Sequence, residues 1–231
     1  MRTIYAHISC VMIIILSLTW CSIWSKSEEE VSTSNENGLE KQTSVQIFAL
    51  WDSLTAGYWL SLEDAYPAQL QTILDDAWYH HSVINAWVSG NTSAELQSRL
   101  DWVLTDANPW DIAILVIGGN DGLRGMSIAE LQENIETMIK TLREQELRII
   151  LGGMQLPTNL WRSYTRDFEN MYRDIVRNNS DIYFIDFFLE GVAVNPSFNL
   201  SDMIHPNKQW YAIIAQNVYD FLLDNNLLWL R

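Results

Sequence analysis

At 231 residues the chain can supply one full hydrophobic core and is short for two, so one folded domain with extensions is expected. Hydrophobic residues at 48% and charged residues at 19% exclude a disordered chain and a multi-span membrane protein. A formal charge of -15, with only 14 Lys and Arg spread along the chain, excludes a nucleic-acid surface, which needs clustered cations.

Residues 1–21, "MRTIYAHISCVMIIILSLTWC", start with a basic Arg2 and run apolar from Ile8 to Leu18. That run is shorter than the roughly 20 residues of a spanning helix and reads as a signal peptide, so export to a periplasmic or other extracytoplasmic space is expected. Both cysteines, Cys10 and Cys21, lie inside it. The rest of the chain can form no disulfide and offers neither a thiolate nucleophile nor a Cys-bound metal. Residues 22–44 are acidic, polar and without hydrophobic period, the pattern of a flexible tether. The folded domain is expected over 45–231.

Along that domain, Val- and Ile-rich runs recur at "VQIFAL", "SVIN", "DIAILVIGG", "LRIILGG" and "DIYFIDF". Between them lie stretches of helical period: "EDAYPAQLQTILDD", "SAELQSRLDWVL", "SIAELQENIETMIKTLREQ" and "RSYTRDFENMYRDIVRNN". The stretch "NKQWYAIIAQNVYDFLLDN" closes the chain as a last amphipathic helix. Continuous apolar strands joined by helical crossovers predict a parallel sheet of about five strands, buried on both faces in a three-layer α/β/α sandwich. Ligands in such sheets sit beyond the carboxyl ends of the strands.

The polar clusters fall at those ends. Ser53 follows the first strand, Ser89, Gly90 and Asn91 follow the second, "GGND" follows the third, and "DMIHPN" precedes the last helix. A nucleophilic hydrolase needs a hydroxyl, a His to take its proton, a carboxylate to orient that His, and donors where an oxyanion forms. All four residue types are present. "DSLTAGY", "SGNTS", "GGNDGLRG" and "DMIHPN", in that order over residues 45 to 226, resemble the SGNH or GDSL hydrolase superfamily. "GGNDGLRG" points within it to the bacterial thioesterase, lysophospholipase and arylesterase branch.

The resemblance implies a flavodoxin-like SGNH fold and a serine hydrolase of acyl esters or thioesters, with no metal or organic cofactor. Ser53 would be the nucleophile, His205 its general base and Asp202 the carboxylate orienting the imidazole. The oxyanion hole would combine the backbone N–H of Ser53, the backbone N–H of Gly90 and the side-chain amide of Asn120. No G-x-S-x-G elbow surrounds Ser53. A small acyl ester or thioester, lipids included, is the expected substrate of a monomeric enzyme. A carbohydrate or cell-wall O-acetylesterase is the alternative within the enzymes, the pocket wall being sought in residues 154–161 and 187–200.

Each residue also has a structural reading. Ser53 taken alone fits a turn or helix N-cap. Asp52 is expected to cap the turn that aims Ser53, and Asp121 to hold its own loop. Arg124 fits either an anionic substrate group or a surface ion pair. His80 and His81 read as solvated turn residues, since no third metal ligand is nearby.

Tryptophan usage is anomalous, with 11 Trp against 10 Gly, where average glycine usage of about 7% predicts roughly 16. In the resembled branch, Gly is expected where Trp51, Trp59, Trp78, Trp87, Trp161 and Trp210 stand. Gly serves where φ is positive or backbones approach closely, and an indole there adds a Cβ penalty and volume that a packed rim is not expected to absorb. Some bacterial lineages read UGA as Gly and others as Trp, so decoding with the wrong table would write Trp at a subset of glycines. Trp102 fits a helix face as a true Trp, while Trp110 and Trp229 fall to neither side. With Gly for Trp20, "SLTGC" resembles a bacterial lipoprotein signal in which Cys21 is lipid-modified. If the Trp residues are genuine, an inactive binding module of the same fold is the reading from another class.

Overall fold

The computed structural model describes residues 44–52, 61–86, 88–157, 159–193 and 207–228. The signal peptide and tether therefore lie outside the described residues, as do Ser53, Asp202, His205, Trp59 and Trp87. In chain order the elements are β1 (Gln46–Leu50), α1 (Tyr66–Asp76), β2 (Ser82–Asn85), α2 (Ser93–Val103), β3 (Ile112–Leu115) and α3 (Gly119–Leu123). They continue with α4 (Ile128–Glu144), β4 (Arg148–Gly152), α5 (Arg162–Asn178), β5 (Tyr183–Ile185) and α6 (Lys208–Asp224).

The five strands form one parallel sheet in the order β2-β1-β3-β4-β5. All four residues of β3 are buried, and Val116 and Ile117 beyond it are buried too, so the central strand needs cover on both faces. Helices supply it: α1 packs on α6, and α4 packs on α2 and α5. On α5 the buried residues Phe168, Met171, Tyr172 and Ile175 repeat at the spacing of one helix face. Each such side chain contributes about 1.5–3 kcal/mol on leaving water. This is the expected α/β fold, and its strand order reverses between β1 and β3, where a binding crevice opens in sheets of this topology.

Several local expectations change. His81 is not a solvated turn residue: it is 6% exposed, and neither ring nitrogen has a hydrogen-bond partner. The polar "HHS" hides this because its burial comes from Tyr79, which stacks on it, and from the amino end of the sheet. "GGND" is not only a loop but opens α3.

Trp51 is one indole that the packing beside the rim does accommodate. It is 2% exposed, at a centroid distance of 4.0 Å edge-on to Phe188 and 4.6 Å from Tyr66. The polar ends of this pair are poorly served, since neither the Trp51 Nε1 nor the Tyr66 hydroxyl meets hydrogen-bond geometry. Burial pushes the Tyr66 hydroxyl well up, and the nearby indole N–H offsets part of that. Trp210 is likewise buried, in the first turn of α6, and Trp161 is the exposed N-cap of α5.

Two other tryptophans do occupy glycine-type backbone. Trp78, at φ 63, follows α1 as the left-handed residue of a Schellman motif, with Tyr79 N–H donating to Leu74 O and Trp78 N–H to Asp75 O. Trp110, at φ 74, follows Pro109 in a turn closed by Asp111 N–H to Asn108 O, the type II pattern that asks for Gly at that place. Glu146, at φ 60, shows that a residue other than Trp or Gly also takes this conformation here.

Candidate active site

The register of β1 against β3 brings their carboxyl ends level. Leu50 pairs with Leu115, and Val116 N–H donates to Leu50 O at 3.0 Å, so Asp52 and Gly118 leave the sheet as neighbours. On the other side of β1, Ala86 N–H donates to Ala49 O and carries the β2 pairing up to the loop that holds Gly90. Asp52, the Ser89–Asn91 turn and the Gly118–Asp121 segment thus share one rim, as their strand-end positions require.

The chain after β2 turns tightly at Ser89 and Gly90, with Asn91 N–H donating to Val88 O at 3.2 Å. Gly90 sits at φ 78, the left-handed value that a type II turn needs at its third residue. Its N–H has no partner among the described residues. Immediately afterwards Thr92 caps α2 through a reciprocal capping box, its N–H donating to Glu95 Oε2 at 2.7 Å and its hydroxyl accepting from Glu95 N–H. Those bonds to Thr92, its backbone N–H first, hold the Glu95 carboxyl below its usual range.

After β3, Gly118 takes φ 112 as the N-cap of α3. A Cβ on it would come within 2.5 Å of the Tyr172 hydroxyl, which donates to Ile117 O at 2.7 Å. Glycine is required there by both conformation and space. Burial raises the Tyr172 hydroxyl well above its ordinary value, and the charges of Asp121 and Asp52 add to the shift, so it remains a donor.

Asn120 joins the clusters. Its amide nitrogen Nδ2 lies 3.2 Å from Asp52 Oδ2 and 3.1 Å from Asn91 O, so it donates to both the β1 end and the β2 loop. Both lengths are at the long limit of N–H···O bonds. Asp52, 3% exposed, thus holds Asn120 in place. Asp121 anchors as expected, but to α2 rather than to its own loop: it accepts from the Ser93 N–H and, at 2.6 Å, from the Ser93 hydroxyl. Asn134 on α4 donates to that same hydroxyl at 2.9 Å.

Among the described residues Arg124 forms no surface ion pair; its Nη2 donates to Gly90 O at 3.0 Å. Arg99 was not singled out from the sequence. Its Nε donates to Asn91 Oδ1 at 2.9 Å and its Nη2 to Ala86 O at 2.8 Å, bracing the same loop from α2. The available signal was its place on the second turn of α2, within reach of the loop that leads into that helix. Of the expected pocket wall, residues 187, 188, 190 and 191 line a concavity of about 360 Å³ together with residues of α6 that include Ile213 and Phe221. Among the described residues, no three of the metal-ligating types come together.

The sequence profile of the GDSL-like Lipase/Acylhydrolase family matches residues 49–213. The chain is 34% identical over 185 residues to Esterase TesA of Pseudomonas aeruginosa, covering 80% of this chain and 91% of that protein. It is 33% identical over 171 residues to thioesterase 1/protease 1/lysophospholipase L1 of Escherichia coli K12, covering 73% and 79% of the two chains. A crystal structure of TesA superposes with a TM-score of 0.73 at 33% identity, covering 79% of this chain and 99% of the other.

Proposed function

This chain belongs to the GDSL-like lipase/acylhydrolase family, the SGNH hydrolases, and from that premise we propose that it cleaves acyl esters or thioesters through an acyl-enzyme on Ser53. It is a carboxylic ester hydrolase of the esterase and thioesterase type. In the proposed roles, Ser53 Oγ attacks the acyl carbonyl while His205 accepts its proton and Asp202 orients the imidazole. The C–O or C–S bond of the tetrahedral intermediate then breaks, and His205 returns the proton to the departing alcohol or thiol. Water, deprotonated by His205, attacks the acyl-enzyme and releases the acid and free Ser53.

The observation that supports this reading is the placement of the Asn120 amide. It bridges the residue before Ser53 and the residue after Gly90, with Nδ2 3.2 Å from Asp52 and 3.1 Å from Asn91 O. The N–H of Gly90 and the amide of Asn120 belong to neighbouring elements on one rim, as an oxyanion site needs. Because both Asn120 bonds are long, a developing oxyanion competes for one of those hydrogens at little loss.

Export and lipid anchoring at Cys21 complete the proposal, with the acidic segment of 22–44 as tether. Export rests on the basic start and the short apolar run, and the anchor on Gly in place of Trp20, since processing before Cys21 needs a small residue there. No helix among the described residues is long and apolar enough to cross a membrane. Globomycin-sensitive processing in the source cell tests the anchor.

The test of the activity is hydrolysis of p-nitrophenyl esters from acetate to palmitate, beside acyl-thioesters, with Ser53→Ala as blank. Turnover above the blank is expected. Equal rates for both proteins across the panel would reject the reading, and the chain-length profile of an active protein ranks its acyl donors.

A further inference from the structure

Asn120 on α3 and Arg124, the C-cap of that helix, stand four residues apart, so their side chains share a face. They donate to consecutive carbonyls of one loop: Asn120 Nδ2 to Asn91 O at 3.1 Å and Arg124 Nη2 to Gly90 O at 3.0 Å. The Arg124 backbone N–H in turn donates to Asn120 O at 3.1 Å, which ties the two residues to each other. Arg124 is exposed and makes no ion pair among the described residues, its charge adding only to the Thr92 bonds that lower the Glu95 carboxyl. The only polar group its side chain reaches there is the Gly90 carbonyl.

We propose that Arg124 is a positioning residue that clamps the Gly90 loop to α3 and so fixes the spacing between the two oxyanion donors, the Gly90 N–H and the Asn120 amide. This rests on the serine hydrolase reading above. The physical need is specific. Gly90 is the most conformationally free residue type, it stands at φ 78, and its N–H comes from a different element than the Asn120 amide. Nothing covalent sets the distance between them. A planar guanidinium with donors in fixed geometry, carried at the C-cap of the helix that bears Asn120, refers that distance to α3. Arg99 seats the loop from the opposite side through Ala86 O and Asn91 Oδ1, but its bonds lie on α2 and do not refer the loop to Asn120.

Displacement of a preorganised donor by even an ångström weakens stabilisation of the transition state more than binding of the substrate. Arg124→Ala is therefore expected to lower kcat about tenfold with KM within about twofold, using a neutral p-nitrophenyl ester. The same substitution made in an Asn120→Ala background is expected to change kcat by less than about threefold, because the spacing no longer refers to a second donor. Arg124→Lys, which keeps the charge and loses the planar fork, is expected to fall between the two. Independently of turnover, hydrogen exchange at the Asn91 amide, which donates to Val88 O, is expected to speed up in Arg124→Ala, read by NMR.

An unchanged kcat, an equal loss in both backgrounds, or a loss confined to KM would overturn the clamp, the last marking Arg124 as a substrate contact. If the parent protein is no more active than Ser53→Ala, the hydrolase reading fails. The exchange rates then still decide whether Arg124 holds the loop, and unchanged rates would remove it.

Discussion

The Asp121 carboxylate on α3 accepts from a single residue of α2, Ser93, at both its backbone N–H and its hydroxyl. Ser93 is the first residue of α2, so a buried negative charge sits at a helix N-terminus, where unsatisfied N–H groups and the helix dipole favour it. The bond spans the rim from the β3 side to the β2 side and closes it behind Asn120 and Gly90. Asp121→Ala leaves both Ser93 donors buried without an acceptor and is expected to lower unfolding stability by about 3 kcal/mol. Urea unfolding of the purified domain measures it, and a loss below about 1 kcal/mol would show that the two Ser93 donors do not depend on Asp121 as their acceptor.

Asn120→Ala separates folding from chemistry. The side chain is part-buried and its two bonds are long, so the stability change is expected to stay within about 1 kcal/mol. Removal of one oxyanion donor typically lowers kcat by about 10² to 10³. Steady-state kinetics beside a thermal melt check both parts, and unchanged turnover rejects its assigned role.

His81 makes stability depend on pH. Burial, and secondarily the nearby Arg148 charge, lower its folded-state pKa below the ordinary histidine value. The folded state therefore disfavours the proton that the unfolded chain takes up near pH 6.5. Its contribution is fully present above that value and is lost as pH falls through it toward the folded pKa, where the slope of stability against pH is positive. Denaturation midpoints between about pH 7.5 and 5.5, above the carboxylate range, should fall with pH and fall less in His81→Gln. Parallel curves for the two proteins would refute the assignment.

The sheet was legible because its signal is local: each strand is an apolar run and each crossover a helical period. So were the elements of the rim, because chemistry at strand ends follows from topology. What was not legible depends on residues distant in sequence. Arg124 looked like a surface cation because its acceptor, Gly90 O, lies 34 residues earlier on a different element. Trp51 looked too large for its place because the cage that holds it is built from Tyr66 and Phe188. His81 looked solvated because "HHS" is polar, whereas Tyr79 stacks on it and the charges of Arg148 and Asp111 reach it from distant parts of the chain.

Trp78 and Trp110 separate backbone demand from packing in the glycine question. Both are exposed, at 79% and 63%, so neither indole contributes a core contact that its removal would forfeit. Both hold φ values, 63 and 74, that disfavour a residue with a Cβ by about 1–2 kcal/mol. Glycine relieves that strain while adding freedom to the unfolded chain, so Trp78→Gly and Trp110→Gly are each expected to stabilise by about 1 kcal/mol. Trp102 is the internal control: it is just as exposed, at 78%, but lies inside α2, where glycine is expected to cost about 0.5 kcal/mol. Chemical denaturation of the three variants reads this contrast directly. If the misreading of UGA explains the tryptophans, the gene carries UGA at 78 and 110 and UGG at 102. UGG at all three, with no stabilisation at 78 and 110, would mean that the chain tolerates left-handed tryptophan as it tolerates Glu146.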